Sequence, residues 1–236
     1  MYKGKTFLGI IPARGGSKGL PRKNILPLNG KPLIIWSIEA GQKSRYLDMV
    51  MVTTDDQDIA QTAKNAGAEV PFMRPADLSG DTASSIDVIE HTINFYSKQR
   101  QQDFDYIVLL EPTSPLREAS DIDLAIERLL ETEAEAITGI AKTESQNPAF
   151  LLKMDTEGFL KGYDQKGLRS LRRQEIKEVY FLEGTIYIST TEALLKKRTF
   201  YHDKTIGYVV PKYKSLEVDD IDDLVMVEAI MKHKGY

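Results

Sequence analysis

Residues 10–24, IIPARGGSKGLPRKN, place four cations (Arg14, Lys18, Arg22 and Lys23) and three glycines directly after an apolar run. Glycines let backbone N–H groups approach oxygens closely, while Arg and Lys add charge and forked donors. The chemistry this composition suits is phosphate binding. A solvated basic turn is the alternative, and the loop's position after an apolar run favours the anion. The spacing is neither G-x-x-x-x-G-K-[ST] nor G-x-G-x-x-G, which argues against a P-loop NTPase and a dinucleotide site.

A second cluster, SLEVDDIDDL (215–224), carries five acidic residues. Glu217 and Asp219 flank Val218, so in extended chain both carboxylates point to one face, as a two-carboxylate Mg²⁺ site needs. Capping of a following helix by Asp219 or Asp220, with Asp222 and Asp223 in its first turn, explains part of the cluster equally well. The two readings are compatible. Two further polar clusters, TTDD (53–56) and EPTSPLR (111–117), also follow apolar runs. The three histidines (91, 202 and 233) lack ligand spacing, and no G-x-S-x-G nucleophile motif is present.

These clusters must be positioned by the elements between them. Thr6–Pro12, 49–56 and 106–112 read as buried strands, 69–73 as a weaker one, and 136–141, 184–189 and 205–211 as further strands. Helical spacing or capping marks Pro32–Ser44, Gln57–Ala66 closed by Gly67, Ser84–Gln99, Asp121–Glu131 and Ile221–His233. Strand and helix alternate to about residue 141, which predicts an α/β fold with a mostly parallel sheet and its ligand at the strands' carboxyl ends. Residues 145–183 break the rhythm and read as an arm, one that could pair with a second subunit.

Composition narrows the class. The 236 residues suit one large α/β domain, possibly with an added arm. Net charge is 31 − 35 = −4, which disfavours general nucleic-acid binding. No cysteine is present, and no apolar stretch approaches the roughly 20 residues of a membrane span. The expectation is a soluble, cytoplasmic protein without nucleic-acid or membrane partners.

Taken in order, IIPARGGSKGLPRKN, LNGKPLI, VTTDD, RPADLSGDTASS, LLEPTSPLR, RRQ before GTIYIS, and LEVDD resemble the acylneuraminate cytidylyltransferase family from about residue 6 to residue 230. The resemblance implies a Rossmann-like nucleotidyltransferase fold, a single domain over 1–236, and a dimerisation arm at about 145–187. It implies transfer of CMP from CTP to the anomeric hydroxyl of a nine-carbon 2-keto sugar acid, N-acetylneuraminate, releasing pyrophosphate with Mg²⁺ as cofactor. A homodimer is expected, its arm reaching the partner's site.

Carried over by position, Arg14, Lys18, Lys23 and Asn24 fall at the triphosphate, and Arg74 and Ser85 at the ribose and base. Arg173 falls at the sugar carboxylate, Glu111 and Tyr187 beside the sugar, and Glu217 and Asp219 at the metal. The catalytic set is then Arg14, Lys23, Asp219 and Arg173. The chain departs from the family pattern at Glu111 (usually Gln), Glu217 (usually Asp), Phe150 (Lys in some members) and FLEG at 181–184 (usually RPNG). All but Glu217 touch the sugar side, so legionaminic or pseudaminic acid is the alternative substrate. More distant alternatives are a sugar 1-phosphate nucleotidyltransferase and an inactive CTP-binding protein.

Overall fold

Alternating side chains of the opening strand feed two apolar layers, and this organises the molecule. In the computed structural model, which describes residues 1–17, 19–143, 147–163 and 177–236, β1 (Phe7–Pro12) is an interior strand of the sheet, one strand in from its edge. Phe7 and Ile11 turn to one layer and Leu8 and Ile10 to the other, all fully buried. Along the chain follow two short strands, β2 (Pro27–Leu28) and β3 (Lys31–Pro32). Then come α1 (Leu33–Lys43), β4 (Met49–Thr53), α2 (Gln57–Asn65), α3 (Ser85–Gln99), β5 (Tyr106–Leu109) and α4 (Ala119–Leu130). After these run β6 (Ala136–Lys142), β7 (Leu152–Met154), β8 (Leu160–Gly162), β9 (Tyr180–Thr190), α5 (Thr191–Lys197), β10 (Thr205–Val209) and α6 (Ile221–Lys234).

Among the described residues the main sheet has six strands in the order β10-β6-β9-β5-β1-β4. β1 pairs in parallel with β4 (Ile10 opposite Met51) and with β5 (Phe7 opposite Tyr106). β10 is parallel to β6, and β9 runs antiparallel to both of its neighbours, β5 and β6. The sheet is therefore mostly parallel, as the alternation of elements predicts. β9 is reversed relative to β6: the chain leaves the end of β6 at Lys142 and re-enters opposite it at Tyr180. Between them lies the exposed hairpin of β7 and β8, inside the span expected to form an arm.

One expected strand is absent. Residues 69–73 touch β4 only through isolated bridges, Met51 with Glu69 and Thr54 with Met73. Pro71, which has no N–H to give a ladder, sits between the two bridges.

Local chemistry sets the helix starts. Ser84 accepts from the Asp87 N–H and begins α3, and Asp56 accepts from the N–H groups of Asp58 and Ile59 and begins α2. Gly67, in left-handed backbone at φ +82°, ends the α2 segment. A third apolar cluster joins Leu28, Leu33, Leu116 and Val218 to Val227 and Met231 of α6, so the C-terminal helix is packed beside the opening loop. No helix among the described residues is long and apolar enough to cross a membrane.

Candidate active site

At the carboxyl ends of β1 and β5 the structure opens a cavity of about 430 Å³. Arg14, Lys23 and Asn24 reach it from the opening loop, Arg74 and Ser85 from the chain around the start of α3, and Glu111 from the end of β5. Glu217 and Asp219 line it from the segment before α6, against the opening loop. These eight positions, spread over two hundred residues of chain, are the ones the motifs singled out. Lys18 and Arg173 lie outside the described residues. Tyr187 does not line the cavity. Its ring is buried in the apolar layer beneath α3 and α5, 5.7 Å from Phe200 and 6.0 Å from Tyr201.

Several small contacts shape the basic wall. The Gly15 N–H donates to Asp55 Oδ1 at 3.0 Å, and Asn24 Nδ2 donates to the Arg14 carbonyl at 3.0 Å, which folds the loop back on itself. Asn24 is buried, so its amide acts on the loop rather than across the cavity. Arg22 turns away to Asp58 at the start of α2, 2.6 Å distant. The TTDD cluster thus buttresses the loop: Asp55 holds Gly15 and lies 3.4 Å from Arg74, while Asp56 caps α2.

Backbone geometry brings the acidic wall against that loop. The Val218 N–H donates to the Thr113 carbonyl at 2.8 Å, and its fully buried side chain points into the third cluster. Glu217 and Asp219 are left facing the cavity together, as their alternation about Val218 predicts. Upstream, Lys214 anchors the turn at 212–215 by ion pairs to Glu118 (2.8 Å) and Asp121 (2.6 Å) at the start of α4. Downstream, Asp220 caps α6 in a reciprocal pair with Asp223. Capping and the inward-facing pair therefore coexist, on neighbouring residues. A Cβ at position 19 would lie 2.6 Å from the Asp219 carbonyl, so glycine is required where loop and acidic wall meet.

Two cations of the cavity are paired. Lys23 Nζ lies 3.0 Å from Asp219 Oδ1 and Arg14 Nη1 lies 2.9 Å from Asp81 Oδ1. Glu111 is half-buried, and burial, reinforced by the charge of Glu217, pushes its carboxyl up to about 7. Burial also raises the Glu217 carboxyl, against the Gly184 N–H that donates to its Oε1 at 2.7 Å. Burial lowers Arg74. Glu217 and Asp219 could hold a divalent cation. No group of three or more His, Cys, Asp or Glu fit to hold a metal is found among the described residues. The pair therefore suits a hard ion whose shell is completed by phosphate oxygens and water rather than by an all-protein cage.

Sequence reasoning passed over several contributors. Asp81 partners Arg14, and the Thr113 carbonyl ties down the acidic wall. Arg117, the last residue of EPTSPLR, is 3% exposed and spends its guanidinium on the Glu111, Gly184 and Thr185 carbonyls and the Ser37 hydroxyl. Burial lowers it to about 10, which leaves it charged at neutral pH. A short charged residue pattern gave no sign of these roles; only the arginine's place in the motif could have marked it.

Comparison with known proteins gives the family. A family model described as cytidylyltransferase matches residues 8–209. A pseudaminic acid cytidylyltransferase of Campylobacter jejuni is 34% identical over 95% of this chain and 96% of its own length. An N-acylneuraminate cytidylyltransferase of Streptococcus agalactiae is 34% identical over 92% of this chain, which spans about half (51%) of that relative. Among solved structures, a CMP:2-keto-3-deoxy-manno-octonic acid synthetase complexed with CTP shares the fold with a TM-score of 0.70 at 18% identity, covering 97% of this chain and 99% of that one. A Rossmann-like nucleotidyltransferase sheet with basic and acidic walls at its carboxyl edge, and a family model spanning most of the sequence, place this chain in the cytidylyltransferase family.

Proposed function

We propose that the protein transfers CMP from CTP to the anomeric hydroxyl of a nonulosonic acid, a nine-carbon 2-keto sugar acid, with Mg²⁺. The observation that carries the reading is the single cavity in which Arg14 and Lys23 face Glu217 and Asp219. N-acetylneuraminate is the substrate expected from the ordered motifs. Legionaminic or pseudaminic acid is the alternative, supported by relatives of both kinds that match over 96% of their own length.

In this reading the triphosphate lies between the two walls and exchanges with the ion pairs Lys23–Asp219 and Arg14–Asp81. The anomeric oxygen attacks the α-phosphorus, the bond from that phosphorus to the oxygen bridging to the β-phosphate breaks, and pyrophosphate leaves. The hydroxyl proton passes to solvent. Lys23 and Arg14 hold the β- and γ-phosphates and stabilise the charge that builds on the leaving group. Ser85, in the first turn of α3, and Arg74 bind the nucleoside end, and Glu111 accepts from sugar hydroxyls. Mg²⁺, when bound by Glu217 and Asp219, supplies charge neutralisation at the α-phosphate. Arg173 is assigned by the motif to the sugar carboxylate.

The β7–β8 hairpin supports a dimer. Met154 and Phe159 are 73% and 66% exposed, and Leu160, Tyr163, Tyr180 and Leu182 are exposed as well. A second copy of the chain is the occupant proposed for it.

The test is a pyrophosphate-release assay with CTP against sialic, legionaminic, pseudaminic and 3-deoxy-octulosonic acids and against sugar 1-phosphates. Release is expected with at least one nine-carbon acid and not with sugar 1-phosphates. Release with none of the nine-carbon acids removes the reading.

A further inference from the structure

The ladder between β6 and β9 slips beside the cavity. Thr138 opposes Tyr187 and Ile140 opposes Leu182, so residues 183–186 of β9 bulge opposite Gly139 alone. A bulge strands backbone groups that must find other partners. Here the Gly184 N–H donates to Glu217 Oε1 (2.7 Å) and the Thr185 N–H to Glu183 Oε2 (3.0 Å). The carbonyls turn to Arg117: Thr185 O accepts from Nε at 2.6 Å and Gly184 O from Nη2 at 3.5 Å. The same Nη2 donates to the Glu111 carbonyl at 2.7 Å, and Nη1 to Ser37 Oγ at 2.9 Å. Ser37 Oγ also contacts the Glu111 carbonyl, at 3.1 Å.

One buried guanidinium therefore ties the backbone beneath two cavity carboxylates, Glu111 at the end of β5 and Glu217 through the Gly184 N–H. We propose that Arg117 is a positioning residue that seats Glu217 by holding the β9 bulge in shape. A lysine cannot replace it, because a single ammonium lacks the planar fork that reaches three carbonyls. Space is tight at the junction: a Cβ on residue 184 would meet Ser114 Oγ at 2.5 Å and Glu217 Oε1 at 2.8 Å. The proposal rests on the reading of Glu217 as a cation-holding carboxylate.

A double-mutant cycle tests it, with Arg117→Lys, Glu217→Gln and the double variant. Turnover is read by pyrophosphate release, Mn²⁺ binding in the presence of CTP by electron paramagnetic resonance, and folding by thermal melting. Arg117→Lys is expected to weaken Mn²⁺ binding and turnover by about tenfold, the size seen when a ligand loses its supporting partner. In the Glu217→Gln background the same change should alter either quantity by less than about twofold, because its route is already cut. If Arg117→Lys does not fold, Ser37→Ala, which removes one partner of the guanidinium, replaces it in the cycle. The expectation is the same non-additivity with a smaller first step. Equal losses in both backgrounds, or unchanged Mn²⁺ binding beside lowered turnover, overturn the proposal alone. Wild-type Mn²⁺ affinity in Glu217→Gln overturns the metal reading and the proposal with it.

Discussion

Glu183 is a buried acid, and its replacement by glutamine should flatten the pH dependence of stability. The side chain is 2% exposed. Oε2 accepts from the N–H and hydroxyl of Thr185, while Oε1 has no hydrogen-bond partner among the described residues. Burial pushes the carboxyl from 4.5 to about 7. In the unfolded chain the group ionises at its ordinary value, so between those limits the folded protein holds the extra proton. The sign follows: stability is fully present below about 4.5 and is lost as pH rises through about 7. At ~1.4 kcal/mol for each pH unit of displacement, the full loss amounts to roughly 3–4 kcal/mol, about 3 of it above pH 5. For a domain of this size that is a fall in Tm of about 5–10 °C. Glu111, also raised to about 7, adds its own fall, reduced by its partial exposure. Melting curves by circular dichroism from pH 5 to pH 8 should therefore show a wild-type decline that Glu183→Gln reduces by about half or more. The glutamine also places an amide N–H₂ where Oε1 has no partner, an offset of ~1–2 kcal/mol that does not vary with pH and leaves the slope diagnostic. Parallel slopes for the two proteins would refute the reasoning.

Three other outcomes are expected. Lys23→Ala should lower turnover by about a hundredfold or more, the loss of one donor to a developing anion, with steady-state pyrophosphate release as the measurement. Asp219→Asn should reduce activity and Mg²⁺ dependence together in a Mg²⁺ titration; wild-type behaviour across that titration contradicts the metal assignment. Phe159→Asp with Met154→Lys on the hairpin should convert the proposed dimer to monomer in sedimentation experiments, leaving the Tm of the sheet within a few degrees, since both side chains are exposed.

Much of this molecule is legible in local chemistry. Apolar runs locate β1, β4, β5 and β6, and Ser84 and Asp56 mark helix starts because a side-chain oxygen there satisfies free N–H groups. The alternation about Val218 places two carboxylates on one face, and the structure turns Val218 into the core and both acids into the cavity. What local pattern does not encode is long-range. The reversal of β9 is a pairing between residues far apart in sequence, and its bulge appears only as a register shift against Gly139. Arg117 reads as an ordinary charged residue until three carbonyls converge on it. Tyr187 has both an apolar ring and a polar tip, and which one serves is decided by the packing of Phe200 against it. The segment at 69–73 has strand-like residues, yet Pro71 limits it to isolated bridges.

In the proposed reaction a triphosphate is held between the opening loop and the acidic pair. A crystal structure of the protein with CTP and Mg²⁺ examines this most directly. It should find the β- and γ-phosphates within hydrogen-bond distance of Lys23 Nζ and the Arg14 guanidinium, and the metal on Glu217 and Asp219. A nucleotide bound elsewhere, with the 3.0 Å Lys23–Asp219 pair still closed, would contradict it.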